Sequence, residues 1–132
     1  MFTTALIEVA TAIQVHEGWK PMQEPRISGS EPSVSYRNHN PGNLRYSPFM
    51  VGERDGFAVF ISDDVGFMAL VWDIWSKCKG KTSSGLNGDS TLAALISVYA
   101  PRTENDTDAY IDFIVRRTGF ARSTKLGDII KP

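Results

Sequence analysis

The stretch TALIEVATAIQVHE, residues 4–17, decides how the rest of the chain is read. Leu6, Ala10, Ile13 and Glu17 recur at i, i+4, i+7 and i+11, with Val9 beside them on the same stripe. That period predicts an amphipathic helix over residues 4–17, which needs a core to cover its apolar face. Gly18 supplies the stop and Pro21 reinforces it. Glu17 is the anomaly, because it continues the apolar stripe at the helix's negative pole. Burial and that pole both push a carboxyl toward its neutral form, the state a general acid needs. A glutamate that swings into solvent, or caps the N–H groups of the next loop, fits the same spacing.

Working outward, residues from about Trp19 to Tyr46 carry Pro21, Pro25, Pro32, Pro41, Gly29 and Gly42 and read as one long irregular segment. Loops of that length inside a compact domain are usually functional. Short strands are expected at Ser33–Tyr36 and Asn43–Tyr46, and a better one at Gly56–Ile61, pairing with Asn43–Tyr46. Ser62-Asp63-Asp64 reads as the cap of a second helix. From Val65 to Cys78 that helix is apolar on two stripes, so it is expected to be central and buried, with Trp72 and Trp75 in the core. Asp89 or Ser90 is expected to cap a third helix through Leu92, Leu95, Ile96 and Tyr99, which Pro101 ends. Asn105-Asp106-Thr107-Asp108 caps a fourth, with Tyr110, Ile111, Ile114 and Val115 inward and Gly119 beyond its end. A short closing helix is expected near Lys125–Ile130. The fold class is therefore α+β, mainly α, with a small β-hairpin.

At 132 residues and a formal charge of −1, the expected organisation is a single domain over residues 1–132. Fourteen basic against fifteen acidic residues exclude a broad electrostatic footprint for nucleic acid. Cys78 is the single cysteine, so no intramolecular disulfide exists; free cysteine in an apolar stripe is expected to be core. Met1-Phe2-Thr3-Thr4 lacks a positive n-region and Glu8 interrupts any apolar h-region, so synthesis in the cytoplasm without a signal peptide is expected. Val65–Trp72, an uncharged apolar stretch, is far short of the ~18–20 residues of a membrane span. His16 and His39 lack metal-ligand spacing, so neither a metal nor a cofactor is expected, and the chain is expected to be a monomer.

Arg37-Asn38-His39-Asn40-Pro41-Gly42-Asn43-Leu44-Arg45 places three asparagines and a turn in nine residues. An asparagine amide donates and accepts without charge, which suits sugar hydroxyls and acetamido groups. A local turn explains Pro41 and Gly42 and leaves Asn38 and Asn43 over. His39 reads as a surface loop histidine or a ligand contact.

His16-Glu17-Gly18-Trp19, the run Ser35-Tyr36-Arg37-Asn38-His39-Asn40-Pro41-Gly42-Asn43-Leu44, and Tyr99-Ala100-Pro101 followed by Asn105-Asp106 and Tyr110 resemble phage-type transglycosylase and lysozyme-like domains. The order of motifs is most similar to the soluble lytic transglycosylase branch of that superfamily. There, a glutamate at the end of an early helix precedes a serine, a Gly-Leu-Met-Gln-like segment and an Ala-Tyr-Asn segment on a later helix. On this resemblance Glu17 matches the catalytic glutamate, Gly42-Asn43-Leu44 the Gly-Leu-Met-Gln position, and Val98-Tyr99-Ala100 the Ala-Tyr-Asn position. Ser33 or Ser35 stands for the serine. The chain departs from the pattern in lacking a Glu-Ser pair and Met-Gln, and in having proline after the tyrosine segment.

The resemblance implies a lysozyme-like fold with a substrate groove between lobes, and cleavage of peptidoglycan glycan strands. Glu17 would protonate the oxygen linking N-acetylmuramic acid to N-acetylglucosamine. It would then act as base while the muramyl C6 hydroxyl closes a 1,6-anhydro ring. Ser35, Tyr36, Asn38, Asn43, Tyr99 and Trp19 would position substrate or orient Glu17. A hydrolytic lysozyme would more often need a second carboxylate, for which Glu24, Glu31, Glu53 and Asp55 are candidates. From a different class comes a murein-binding or virion structural domain that has the fold without the chemistry. Partners would be glycan strands and other phage virion or lysis proteins, with action in the periplasm or cell wall.

Overall fold

The structure is a computed structural model and describes residues 2–18 and 38–132. Its helices are α1 (Thr4–His16), α2 (Asp63–Cys78), α3 (Leu92–Tyr99), α4 (Thr107–Thr118) and α5 (Leu126–Ile130), and its strands are β1 (Gly52–Arg54) and β2 (Phe57–Val59). The fold is mainly helical with one two-stranded antiparallel sheet. Among the described residues no helix is long and apolar enough to cross a membrane.

Two compact units divide the chain. One comprises Met1–Ala12 with Val71–Pro132, the other Ile13–Leu70. In the first, the apolar faces of the helices close on each other: Leu6, Val9, Ile74, Leu92, Leu95, Ile96, Ile114 and Leu126 are essentially inaccessible. Each such side chain contributes roughly 1.5–3 kcal/mol by leaving water. Thr91 caps α3 by accepting from the Ala94 N–H at 3.1 Å, rather than Asp89 or Ser90, because Ser90 Oγ is turned back to the Asn87 N–H. Asp106 caps α4 through the Ala109 N–H, and Gly119 ends that helix at φ 79, both as its sequence predicts. α5 docks through backbone: Leu126 N–H donates to Ser90 O and Gly127 N–H to Gly88 O, each at 2.9 Å.

The second unit holds the sheet, and here the expected pairing is corrected. β2 pairs with β1, Gly52 opposite Val59 and Arg54 opposite Phe57, and not with a strand at Asn43–Tyr46. Asp55 and Gly56 both have positive φ, 54 and 83, the geometry of a two-residue type I′ hairpin turn. The Asn43–Tyr46 segment still lies along the other edge of β2, where the Ala58 N–H donates to Leu44 O at 2.9 Å. It forms no strand of its own. The expected strand at Ser33–Tyr36 lies outside the described residues.

Two helix expectations also change. α1 stops at His16, so Glu17 sits in the turn beyond it. α2 is buried through Ala69, Leu70, Val71, Ile74 and Cys78, whereas Met68 and Trp72 on its other stripe are about two-fifths exposed (41% and 40%). Trp72 is therefore not core. It stacks on Trp75 with ring centroids 5.3 Å apart, and Lys81 Nζ stands 4.9 Å from the Trp75 ring. Cys78 is buried as expected.

Candidate functional site

Glu17 follows directly on the last turn of α1. Its N–H continues the helical pattern to Ile13 O at 2.9 Å. Gly18 then turns the chain at φ 84 and donates to Val15 O, a left-handed exit that a Cβ would strain. The Glu17 residue is half-buried, at the pole of the helix where orphan carbonyls accumulate.

The asparagine run resolves into two roles. Asn40 is structural: its Nδ2 donates to Leu44 O at 2.8 Å and Ala58 O at 2.9 Å, and its Oδ1 accepts from the Leu44 N–H at 2.9 Å. Fully buried, it ties the loop to the free edge of β2. The turn Asn40-Pro41-Gly42-Asn43 closes with the Asn43 N–H on Asn40 O at 2.9 Å, and Asn43 leaves it at φ 53. Asparagine tolerates that region better than most residues.

Asn38 and Asn43 differ from Asn40. The Asn38 backbone carbonyl accepts from the Phe60 N–H at 2.9 Å, and its Oδ1 accepts from the Arg54 guanidinium at 3.3 Å. Its Nδ2 has no partner although the residue is fully buried, and Asn43 Oδ1 is likewise buried without a partner. Buried polar atoms are nearly always paired, so each exception calls for a ligand, a water or a role. One orphan is a donor and the other an acceptor.

Between them stands His39, exposed, at φ 52. Its Nδ1 lies 2.8 Å from Asp63 Oδ1 on the first turn of α2. Its backbone carbonyl is pressed against Gly66, where a Cβ would come within 1.8 Å of that oxygen. Sequence reading left His39 as a surface loop residue or ligand contact, read Asp63 only as part of a helix cap, and passed over Gly66. The available signal was Gly66 itself, a helix-weakening glycine inside an apolar helix, which marks close approach.

Of the residues expected at the site, Glu17, Asn38 and Asn43 fall in the unit Ile13–Leu70. Tyr99 ends α3 in the other unit, half-buried. Trp19, Ser35 and Tyr36 lie outside the described residues, as do Ser33, Glu24 and Glu31. Of the carboxylates weighed as a second catalytic group, Glu53 and Asp55 are exposed on the hairpin. Among the described residues no three His, Cys, Asp or Glu side chains come together to hold a metal ion.

No family model matches the chain, and no solved structure matches it. It is similar to Protein P5 of Pseudoalteromonas phage PM2, with 40% identity over 45 residues, which is 34% of this chain and 28% of that protein. The match therefore spans little more than a quarter of the length of that phage protein.

Proposed function

We propose that this chain is a phage-type peptidoglycan-cleaving enzyme with a lysozyme-like fold, acting as a lytic transglycosylase on the β-1,4 bond between N-acetylmuramic acid and N-acetylglucosamine. The observation that carries the reading is the pair of buried, unpartnered amide atoms, Asn38 Nδ2 and Asn43 Oδ1, in the same unit as Glu17. Both sugars of murein bear acetamido groups, whose C=O and N–H are the missing partners of such atoms. The partial likeness to a phage protein agrees with a phage origin.

On this reading Glu17, at the carbonyl end of α1, protonates the glycosidic oxygen. Ring closure by the muramyl C6 hydroxyl then ends the reaction without water, so one carboxyl group suffices. Asn38 and Asn43 hold the substrate's amides, and Trp19, Ser35 and Tyr36 complete the positioning. Murein sacculi incubated with the protein are expected to release muropeptides with anhydro-muramyl ends by mass spectrometry, and Glu17→Gln is expected to release none. Reducing muramyl ends would establish a hydrolytic lysozyme instead. Equal, negligible release by wild type and Glu17→Gln, with retained binding to sacculi, would establish a murein-binding module. Full activity in Glu17→Gln would remove Glu17 from the chemistry.

A further inference from the structure

Two arginines converge on Phe57 of the β1–β2 hairpin. Arg54 stands directly opposite Phe57 in the register, and residues paired in this way send their side chains to one face of the sheet. The Arg45 guanidinium lies over the Phe57 ring, 4.8 Å from its centroid, a cation–π seat that holds it in place. Both positive groups therefore stand on the Phe57 side of the hairpin. Glu53, paired with Ala58, leaves its strand on the other side.

From that face Arg54 reaches the fully buried Asn38, its Nη1 donating to Oδ1 at 3.3 Å. The bond is longer than the usual N–H···O range, and Arg54 is otherwise an exposed residue. Among the described residues its guanidinium meets this one neutral acceptor and no carboxylate. Asn38 Nδ2, on the same amide, is the orphaned buried donor. All of these residues belong to the unit Ile13–Leu70. A guanidinium fork with donors to spare, beside a buried amide donor without a partner, suits an anion rich in acceptors. A planar carboxylate matches such a fork with a pair of parallel bonds.

We propose that Arg54, with Arg45 beside it, binds carboxylates of the acidic peptide on muramic acid, which makes the Asn38 position the seat of the muramyl sugar. The proposal rests on the glycan-cleaving reading for the identity of the strand. Both murein sugars carry the C2 acetamido group whose carbonyl Asn38 Nδ2 accommodates. They differ at the next carbon, where N-acetylglucosamine has a hydroxyl and muramic acid a lactyl ether bearing the peptide. Substituents on C2 and C3 are neighbours on the ring. An acetamido carbonyl on Asn38 therefore sets the acidic substituent beside the guanidinium that touches the same amide. Discrimination comes from charge-assisted hydrogen bonds that the other sugar has no group to make.

The test uses the full chain and a soluble disaccharide-peptide, N-acetylglucosaminyl-N-acetylmuramyl-peptide, which contains no bond that the proposed reaction cleaves. A second sample has its carboxyls converted to amides, and N,N′-diacetylchitobiose supplies acetamido groups without acid. Binding is followed by two-dimensional NMR. The acidic form is expected to bind on the order of tenfold more tightly than the amidated one, the worth of a hydrogen bond to a charged group. It is also expected to shift the Asn38 side-chain amide and Arg54 Nε–H signals. Arg54→Gln is expected to remove the preference and Arg45→Gln to reduce it, while Arg117→Gln, an exposed arginine of the other unit, keeps it. Added salt is expected to narrow the preference in the wild type, a measurement that needs no variant. Equal wild-type affinity for the acidic and amidated forms, a preference that survives in Arg54→Gln, or one indifferent to salt would overturn the proposal. If those two forms and the chitobiose all bind alike, only the carboxylate site falls and the glycan reading stands. If none of the three binds, the glycan reading itself fails and takes the proposal with it.

Discussion

Three asparagines within six residues do different work, and substitution separates them. Asn40→Ala removes three buried hydrogen bonds to backbone, each with a net contribution of about 1 kcal/mol. Urea denaturation is expected to show a loss of roughly 3 kcal/mol, with activity surviving in whatever fraction remains folded. Asn38→Ala removes an amide with an unsatisfied donor and one long bond from Arg54, so its stability cost is expected to stay near 1 kcal/mol. Its effect should appear instead as weaker binding of N-acetylated glycan, read by titration calorimetry. Cys78 is a third residue with a definite expectation. Burial pushes its thiol up to about 12, so thiol reagents at mildly alkaline pH should modify the native protein only as fast as it opens, and the urea-unfolded chain at once. At this scale the sequence marked Asn38 and Asn43 as residues that a turn leaves unexplained. It could not foresee Asn40's bond to β2, because Ala58 O arrives from 18 positions away. Residue types alone carry no record of that meeting.

Elements were legible where their signals are local, and illegible where a partner was chosen from afar. The Asp106 cap and the Gly119 exit of α4 follow from short-range chemistry and stand as read. β1 went unread because Gly52-Glu53-Arg54 is polar and exposed, with no alternation to show. Its one clear signal was Asp55-Gly56, the pair that a type I′ turn favours. α2 misled for the converse reason: two apolar stripes look like burial on both sides, yet Trp72 and Met68 meet solvent. Gly66 gives this helix its sharpest test. Glycine to alanine inside a helix normally gains about 1 kcal/mol. Here the added methyl meets the His39 carbonyl at 1.8 Å, so Gly66→Ala is expected to cost on the order of 3 kcal/mol in urea denaturation. On α4, the Asp108 carboxyl takes both Arg102 guanidinium nitrogens and the edge of Arg122. Hydrogen bonds and charge from Arg102 hold it below the usual carboxylate range. Its contribution is present above that range and disappears as pH falls through the lowered value. Asp108→Asn should therefore flatten the acid side of a melting-temperature profile, modestly, since the network is exposed.

Across the whole molecule, sequence reading reached the fold class, mainly helical with one small antiparallel sheet, because periodicity and caps report on elements one at a time. The unit formed by Met1–Ala12 and Val71–Pro132 joins segments from opposite ends of the chain, and its closure depends on the last of them. Leu126 and Ile129 are buried, and Thr124 O and Arg122 O accept from the first amides of α3. Deleting residues 120–132 is expected to abolish cooperative thermal unfolding of this unit, followed by far-ultraviolet circular dichroism. Truncation after Ile130 should leave the transition intact. The same closure has a topological consequence. The Thr3 hydroxyl donates to the carbonyl of Ile129, 126 positions away, so the first and last segments of this unit meet, while the chain crosses out of it after Ala12 and back at Val71. A fold of that kind can be spliced into a surface turn of a host protein without prising the host's own ends apart, and a display scaffold carrying it needs only short spacers on either side.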